Sequence, residues 1–386
     1  MRIHDNLALN AFLQKSSFGI VIWCPTKSYE EANHFRKKFI DDNLESFSKN
    51  LFKLGHVLIK GTSHFSLELV EILKAQQIKS LFFTLEYAYD ECFEEKVVSN
   101  LCENFGIEFI SFDQGAMISI ENLPFEIIEL PFIFSDFRKK IELQININHT
   151  QNLAIDFELD VSLDGEAKAL QRLREFIWET PSLANYKNTR NGLMNFNDSS
   201  KFSPWLSVGA LSPRKIYEEL KRYETEVQAN ESTYWLFFEL LWRDYFKFLS
   251  KKFGNHFFTL AGLPGVKTIH HPVVLDLKLF QSWCNGETEE PFVNANMKEL
   301  NNTGFMSNRG RQNVASFLVH QLHLPWTWGA SYFEKQLIDY DPDVNWGNWL
   351  YFSGRGTDPR ARLFNIKKQA TDYDPLGEYQ AKWNKI

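Results

Sequence analysis

The first 112 residues alternate short apolar runs with longer amphipathic stretches. Runs of β-branched and aromatic residues are typical of buried strands, whereas apolar positions three and four residues apart are typical of helices. Strand and helix in alternation indicate a parallel sheet with crossover helices, so residues 1–112 are predicted to form an α/β domain. The predicted strands are Gly19–Cys24, His56–Lys60, Ser80–Leu85 and Ile107–Ser111, and the predicted helices lie near Glu30–Leu54, Ser66–Gln76 and Ala88–Phe105.

The pattern changes at residue 113. Residues 113–164 show no clear periodicity and contain Pro124 and Pro131. A segment of this length without its own structure is ordinary between domains, so we interpret it as an interdomain linker. From Gly165 onward strand patterns stop and helical patterns follow one another, which predicts an all-α domain over residues 165–386. Its predicted helices are Glu166–Glu179, Pro204–Leu206, Pro213–Arg222, Ser232–Phe253, Asp276–Cys284, Phe292–Leu300, Gly310–His323 and Ala330–Ile338.

Aromatic residues are abundant, with 35 Phe, 13 Tyr and 11 Trp making up 15% of the 386 residues. That content favours an aromatic-lined interior or a stacking surface. The formal net charge of −7 argues against nucleic-acid binding by bulk charge, so DNA would need a local basic face. The four cysteines show neither a CxxC pair nor metal-type spacing, and no apolar run reaches the length of a membrane span. We expect a cytoplasmic protein without a metal or a membrane anchor.

The segment from Asp339 onward concentrates acids, amides and tryptophans. Asp341 and Asn345 share one face of a predicted helix, and Trp349 follows on the same face. This spacing lets two carboxylates and an amide converge on one heteroaromatic ring. The alternative is structural: Asp341 caps a helix whose first residue is Pro342, and the aromatic residues only pack.

Residues 198–205, which read Asp-Ser-Ser-Lys-Phe-Ser-Pro-Trp, place hydroxyls and a lysine just before a predicted helix. Hydroxyls and free backbone N–H groups at a helix start suit a phosphate group. The alternative is a serine cap with nothing bound.

Two further helical segments carry charged groups of interest. Glu239, Trp242 and Arg243 share one helix face among aromatic residues. Exposed Glu–Arg pairs contribute little to folding stability and are usually solvated surface bridges. The aromatic surroundings here favour a functional role instead. Asn308 and Arg311 lie one turn apart, and the Arg311 guanidinium is placed to pair with Asp339. The alternative for that turn is a basic helix start that faces water.

Three C-terminal motifs resemble the signature of the photolyase/cryptochrome flavoproteins, and most closely that of the DASH-type cryptochromes. They are Asn-Trp-Gly-Asn-Trp at 345–349, Gly-Arg-Gly-Thr-Asp-Pro-Arg at 354–360, and Phe-Asn-Ile-Lys-Lys-Gln-Ala-Thr-Asp-Tyr-Asp-Pro-Leu-Gly-Glu-Tyr at 364–379. The resemblance implies a doubly wound parallel sheet followed by an all-α FAD-binding domain. Residues 2–9 are similar to the family's segment just after its first strand, so either the true start lies upstream of Met1 or that strand is missing. Its loss argues against an antenna pterin or folate such as methenyltetrahydrofolate.

The resemblance also implies how FAD is held. Tyr186 lies where the family has its cofactor-contacting tyrosine, and residues 199–203 resemble the loop for the FAD pyrophosphate. Arg243 would contact the flavin phosphates, and Asn345 would face the flavin N5 position. The implied FAD-binding residues are Tyr186, Ser199, Ser200, Lys201, Phe202, Ser203, Arg243, Asn308, Arg311, Asp339, Asp341 and Asn345.

A lesion site follows from the same resemblance. Glu239 and Trp242 would contact a pyrimidine dimer, with Trp242 and Tyr351 as its aromatic surfaces. Asn308 stands where photolyases acting on the six-four photoproduct carry a catalytic histidine, so the amide favours the cyclobutane class. The implied catalytic residues are Glu239, Trp242, Asn308 and Tyr351, and the expected DNA-binding residues are Arg309, Arg355, Arg360, Arg362, Lys367 and Lys368.

The family's chain of three tryptophans is incomplete. Trp349 and Trp326 match its inner two members, but the place of the outer one reads His-His-Pro-Val-Val at residues 270–274. Electron entry would then be slow, or would pass through Trp328, Trp346 or a tyrosine.

These observations predict a monomeric flavoprotein that repairs cyclobutane pyrimidine dimers by electron transfer from light-excited reduced FAD. A dimer must leave the base stack, which costs less in single-stranded DNA, so single strands are the expected preference. One alternative is a blue-light photoreceptor that binds DNA with little or no repair. Another is a flavin-binding relic that retains its cofactor poorly.

Overall fold

The computed structural model describes residues 1–15, 19–62, 65–75, 78–151, 158–266, 273–358 and 362–385. The N-terminal part of this range contains four strands, each within one residue of its predicted bounds. They are β1 Ile20–Trp23, β2 Val57–Lys60, β3 Ser80–Thr84 and β4 Glu108–Phe112. Strand β1 pairs with β2 and β3 pairs with β4, both in parallel. The predicted α/β class and parallel pairing are therefore confirmed.

The four strands form two separate two-stranded sheets. Within the described residues, no strand joins β1 to β3. Helix Leu7–Lys15 contacts both sheets instead, because the Phe12 ring lies 5.0 Å from His56, just before β2, and 6.1 Å from Phe82 of β3. A Cβ at Gly19 would lie 2.2 Å from the Phe12 ring, so glycine leaves room for this packing. The two half-sheets are thus connected by side chains.

The crossover helices follow the predicted order. The helix predicted near residues 30–54 is confirmed as His34–Lys53. It starts at His34 because the Asn33 side chain accepts a hydrogen bond from Arg36 N at 3.0 Å and caps it. The helices of this domain after the first are Lys27–Glu30, His34–Lys53, Phe65–Ala75 and Tyr89–Asn104.

The N-terminal segment is attached to the helical domain. Arg214 donates two hydrogen bonds to Asp5, from Nε to Oδ2 and from Nη2 to Oδ1, each at 3.0 Å. Both side chains are almost completely buried. The backbone N–H groups of Ile3 and His4 donate to the Glu166 carboxylate at 2.6 and 2.9 Å. These bonds hold the start of the chain against the second domain.

The predicted linker has more structure than its sequence pattern indicated. It contains 3-10 turns at Ile120–Asn122 and Ile127–Glu129 and a helix at Phe134–Leu143. Phe137 and Ile141 of that helix are buried in the core of the helical domain. The helix covers fewer than three turns, so its periodicity is too short to stand out.

Within the described residues, all eight predicted helices of the C-terminal part are present, as is the helix predicted after the Asp341 cap, together with three short helices that the pattern missed. The helices are Glu166–Arg174, Ser182–Thr189, Ser203–Ser207, Pro213–Glu226, Glu231–Phe253, Leu277–Asn285, Pro291–Thr303, Asn308–His320, Trp326–Gln336, Pro342–Ser353, Ile366–Tyr373 and Glu378–Trp383. A π-helical turn at Glu175–Glu179 continues the first of them. Within the described residues, no helix has the length and apolar composition needed to cross a membrane.

Candidate functional site

An ion pair joins two of the segments that the sequence singled out. Ser307 caps helix Asn308–His320 by accepting from Gly310 N at 3.0 Å, which sets the first turn from which Arg311 projects. Arg311 Nη2 then lies 3.0 Å from Oδ1 and 2.8 Å from Oδ2 of Asp339. The predicted pairing of these two residues is confirmed, and Asp339 is buried.

Asp341 has the structural role that was left open. Its carboxylate accepts from Val344 N and so caps helix Pro342–Ser353, with Pro342 in the first turn. Burial alone would raise the pKa of Asp341, but the Lys247 ammonium, 3.1 Å away, and the Arg243 guanidinium bring that pKa below its usual value. Asp341 is therefore an ionised cap at neutral pH.

Asn345 lies one turn further along the same helix and is buried. Its Nδ2 donates to the backbone oxygen of Ala330 at 3.1 Å, which fixes the amide orientation. Within the described residues, no protein group donates to its Oδ1. A buried amide held in this way presents an acceptor to a neighbouring N–H group.

The loop of residues 199–203 is held from behind by one arginine. Arg172 donates to the backbone oxygens of Ser199 at 3.2 Å and Ser200 at 2.9 Å. Helix Ser203–Ser207 follows but is only five residues long, so it supplies little of the helix-terminus field expected from the sequence. The hydroxyls and Lys201 remain as the groups that suit a phosphate.

Lys201 provides a test of whether this loop fits an anionic cofactor. Its backbone φ is +59°, in the left-handed region that L side chains rarely adopt. Burial lowers the pKa of its ammonium group, which lies 4.2 Å from the centre of the Phe305 ring. Within the described residues, no carboxylate forms an ion pair with Lys201. A desolvated cation in a strained loop fits the pyrophosphate of FAD.

Tyr186, the predicted cofactor-contacting tyrosine, is a buried residue of helix Ser182–Thr189. Its ring meets Phe176 edge to face at 5.7 Å, and burial raises its pKa. Phe202, which also meets the Phe176 ring edge to face at 5.4 Å, is buried, whereas Ser203 is exposed. The loop therefore has one apolar side in the core and one polar side.

Glu239 lies on helix Glu231–Phe253 and is held by two donors on a single oxygen. Arg190 Nη1 donates to Oε1 at 2.7 Å and Trp235 Nε1 donates to the same oxygen at 3.2 Å. The Arg190 guanidinium also lies 4.7 Å from the Trp235 ring centre. Burial raises the pKa of Glu239, and Arg190 and Trp235 oppose that rise. The Arg190 and Glu239 side chains are 22% and 30% exposed, so the pair is not a fully solvated surface bridge.

Trp242, one turn along, has one face covered. Phe134 stacks on it at 3.6 Å with an interplanar angle of 11°, while Tyr351 meets it edge to face at 5.3 Å. Arg362 donates to the Tyr351 hydroxyl and lies 4.7 Å from its ring centre. The structure thus brings together Trp242 and Tyr351, which the sequence analysis predicted as the aromatic surfaces for the pyrimidine dimer.

Arg243 is held by other protein groups, whereas Asn308 is exposed. Arg243 donates to the backbone oxygen of Gly115 at 2.7 Å and lies 3.5 Å from Asp341. These protein contacts account for its charge, so its contact with flavin phosphates stays a prediction. Asn308 is exposed at the start of its helix, one turn before Arg311.

The predicted DNA-binding cations are not equally available. Arg362 forms an ion pair with Asp358, and Lys368 lies 2.7 Å from Asp372. Arg309 stacks at 4.4 Å on the Tyr373 ring and donates to Asn191, while its buried Nε lacks a partner among the described residues. Lys367 is exposed and Arg355 is half-buried, whereas Arg360 lies outside the described residues.

Both predicted electron-transfer tryptophans are buried. Trp349 lies 6.2 Å from Trp283, and a Cβ at Gly329 would lie 2.2 Å from the Trp349 ring. The helix that begins at Trp326 therefore passes directly over Trp349. Trp326 itself has Trp346 as its tryptophan neighbour, at 5.7 Å. Of residues 270–274, where the sequence has the altered outer position, residues 270–272 lie outside the described residues.

Several site residues were missed by sequence reasoning. Arg190 and Phe134 lie 49 and 108 residues before their partners Glu239 and Trp242, and no local pattern marks such pairs. Lys247 had a usable signal, since it follows Arg243 by four residues on one helix face.

Comparison with protein-family descriptions assigns both halves of the chain. Residues 1–154 match the DNA photolyase family, and residues 235–385 match the FAD-binding domain of DNA photolyase. Together these matches cover the α/β domain and most of the helical domain, including the Arg311–Asp339 pair and Glu239.

Individual relatives agree with these assignments. Cryptochrome DASH of Synechocystis is 37% identical over 99% of this chain and 85% of its own length, and that of Xenopus laevis is 39% identical over 99% and 80%. The crystal structure of the Synechocystis cryptochrome superposes with a TM-score of 0.91 at 38% identity, covering 99% of this chain and 86% of the other. A class III photolyase from Agrobacterium tumefaciens, at 22% identity and a TM-score of 0.84 over 99% and 84%, shares the fold.

Proposed function

Because this chain belongs to the photolyase/cryptochrome family and is similar to cryptochromes DASH along its whole length, we propose that it repairs cyclobutane pyrimidine dimers under light with FAD, preferentially in single-stranded DNA. The observation that carries the proposal is the arrangement around Glu239, a carboxylate held by Arg190 and Trp235 beside Trp242. When bound, reduced FAD supplies the light-driven electron, and the protein supplies position and electrostatics.

FAD would be held from three sides. Lys201 and the hydroxyls of residues 199–203 supply positive charge and donors for the pyrophosphate. The Arg311–Asp339 pair and the Asn345 amide would face the polar edge of the flavin. Within this set, Asn345 Oδ1 would accept a hydrogen bond from a flavin N–H, since its Nδ2 is already committed to Ala330.

The dimer would lie against Trp242 and Tyr351. Arg190 and Trp235 both bind Glu239 through Oε1, so Oε2 is the atom left to accept hydrogen bonds from the pyrimidine N–H groups. Asn308, exposed at its helix start, adds an amide on the same approach and supports the cyclobutane class. Unstacking of the dimer costs less in single strands, which is the reason for the proposed preference.

The second candidate is a blue-light photoreceptor that binds FAD and DNA with little or no repair. The names of the relatives favour it, since they are called cryptochromes. The exposed Lys367 and the stacked Arg309 would bind a DNA backbone under either function.

The decisive experiment is illumination of the purified protein with a dimer-bearing oligothymidylate in the presence of a reductant. Flavin absorbance with recovery of thymine absorbance supports repair, and flavin absorbance without recovery supports the photoreceptor. Absence of bound flavin would refute both. Single- and double-stranded substrates compared at equal concentration test the strand preference.

A pair of variants tests the lesion site. Glu239→Ala should reduce repair strongly while FAD stays bound. Glu219→Ala is the matched control, because Glu219 also accepts from a tryptophan, Trp178, and from a cation, Lys215, on a different face. Equal repair by Glu239→Ala and Glu219→Ala would remove Glu239 from the site.

Three further properties belong to the proposal. The protein is expected to be a monomer, which light scattering tests, and cytoplasmic, which cell fractionation tests, although an Arabidopsis thaliana relative is named "chloroplastic/mitochondrial". The third property is the antenna: fluorescence of a bound pterin or folate, such as methenyltetrahydrofolate, from the purified protein decides whether one is present.

A further inference from the structure

We propose that Trp346 is the outer station of the electron-entry route, that it gives electrons to Trp326, and that Glu334 takes up the indole proton released when Trp346 is oxidised. The inference rests on the proposed FAD photochemistry. It concerns how electrons from a reductant in solution enter the protein, and it is independent of whether DNA is repaired.

The rings are placed for this transfer. Trp326 and Trp346 lie 5.7 Å apart between ring centres at an angle of 79°. Trp326 is buried, whereas Trp346 is half-buried, so Trp346 is the ring of this pair that solvent reaches more readily. The Phe258 ring packs 5.5 Å from Trp346 on another side. Trp346 is therefore a second indole in direct contact with an inner member of the predicted chain.

The indole N–H group of Trp346 has a carboxylate as its hydrogen-bond acceptor. Trp346 Nε1 donates to Glu334 Oε2 at 3.2 Å. Loss of an electron makes an indole N–H far more acidic, so a carboxylate at this distance can take the proton. Burial raises the pKa of Glu334 and Glu31 adds to that rise, while Trp346, Tyr340 and Arg36 lower it. Proton transfer leaves a neutral radical on Trp346, which holds the oxidising equivalent at the outer position.

The competing route leads from Trp349 to Trp328 and has no proton acceptor among the described residues at its outer end. Trp349 contacts Trp283 at 6.2 Å, and Trp283 connects through the Phe280 ring to Trp328. Trp283 is fully buried, and its N–H donates to the backbone oxygen of Val314 at 3.2 Å. Trp326 is bonded in the same way, to the backbone oxygen of Leu260 at 3.2 Å, so the two routes differ at their outer ends. Among the described residues, no carboxylate accepts from Trp328 Nε1, whereas Glu334 accepts from Trp346 Nε1.

The step balances. One electron moves from Trp346 to oxidised Trp326, and the Trp346 N–H bond breaks with its proton passing to Glu334. The products are restored Trp326, a neutral indolyl radical and a carboxylic acid. A thiol in solution then gives one electron to the radical, becoming a thiyl radical after loss of its own proton, and Glu334 returns the proton to the indole nitrogen.

Transient absorption of the FAD-loaded protein tests the route. Trp346→Phe should shorten the lifetime of the tryptophan radical signal by an order of magnitude. Trp178→Phe is the matched control and should leave it unchanged, because Trp178 also donates to a carboxylate, Glu219 at 3.0 Å, but its ring contacts Tyr223. A normal lifetime in Trp346→Phe with a short one in Trp328→Phe would overturn the proposal in favour of the Trp283 route.

A second measurement does not depend on the cofactor. One-electron oxidation of flavin-free protein by azide radicals after pulse radiolysis reports how fast tryptophan radical cations become neutral radicals. Glu334→Gln should slow part of this conversion, and the difference should vanish in a Trp346→Phe background. Glu334→Gln kinetics identical to those of the unmodified protein would refute the role of Glu334. A preparation that fails to bind flavin refutes the proposed function, and this measurement then decides the proton transfer separately.

Discussion

Arg311 reaches both oxygens of Asp339 with a single nitrogen, Nη2, at 3.0 and 2.8 Å. The Asp339 side chain is 2% exposed and that of Arg311 is 25% exposed. Water can therefore solvate part of the Arg311 charge, whereas the Asp339 carboxylate relies on Arg311 to compensate its charge. The pair connects the start of helix Asn308–His320 to the turn before helix Pro342–Ser353. This ion pair therefore fixes the relative position of the two segments proposed to hold the flavin.

Asp339→Asn should lower both flavin content and stability. The substitution keeps the size of the side chain but leaves Arg311 without its charge partner, and breaking a largely buried pair costs about 3 kcal/mol. Flavin-to-protein ratio and the urea midpoint measure the two effects. Asp372→Asn, which breaks the exposed pair with Lys368, should cost less than about 1 kcal/mol and keep the flavin. Equal behaviour of the two variants would contradict the role of Asp339.

Arg214→Ala should destabilise the contact between the domains. Arg214 and Asp5 are 1% and 2% exposed, and removal of the cation leaves a buried carboxylate unpaired, at a cost of about 3–5 kcal/mol. Urea unfolding followed by circular dichroism measures it. The double variant Asp5→Ala with Arg214→Ala should recover part of the loss, because it leaves no unpaired charge. Losses that simply add would show that the ion pair is not the cause.

Gly329→Ala should disturb Trp349. The added Cβ would lie 2.2 Å from the Trp349 ring, so the ring or the helix must move, and overpacking of this kind costs about 1–3 kcal/mol. We expect slower light-driven reduction of the bound flavin, read from its absorbance under illumination. Gly347→Ala, whose Cβ would lie 2.4 Å from Phe246, imposes a similar clash without touching the Trp349 ring. Unchanged photoreduction in Gly329→Ala would argue against Trp349 as an electron carrier.

Stability should fall as the pH rises from neutrality. Burial raises the pKa of Glu86 to about 8 and that of Glu91 to about 7. The folded state therefore binds more protons than the unfolded state between pH 4.5, the ordinary value, and these values, and the stabilisation from protonation is lost as the pH rises through them. Because Glu86 is partly exposed, water moderates the effect.

Thermal unfolding between pH 6 and 9 measures this dependence. Glu86→Gln should flatten it, since the amide stays neutral at every pH. Glu45→Gln, on an exposed residue paired with Lys49, is the control and should follow the unmodified protein. A profile for Glu86→Gln as steep as that of the control would show that Glu86 does not titrate in this range.

Local sequence patterns determined the elements of this protein. The alternation of apolar runs, the cap at Asp341 followed by Pro342, and the spacing of Glu239, Trp242 and Arg243 all depend on neighbours within about two helical turns, where periodicity and propensity act. Arg311 and Asp339 were paired correctly because both lie beside predicted helix starts and carry opposite charge. The family resemblance identified the cofactor and the two-domain plan.

Only the tertiary structure decided which distant groups meet. The division of the sheet into two halves, the stacking of Phe134 on Trp242, the approach of Arg190 to Glu239 and the contact of Trp326 with Trp346 join residues far apart along the chain. Such contacts are selected by close packing of whole elements and by the need of each buried charge or N–H for a partner. Neither the packing of whole elements nor the partner of a buried group can be read from a local sequence pattern. Glu334 was therefore identified as a candidate proton acceptor only from its contact with Trp346 in the folded chain.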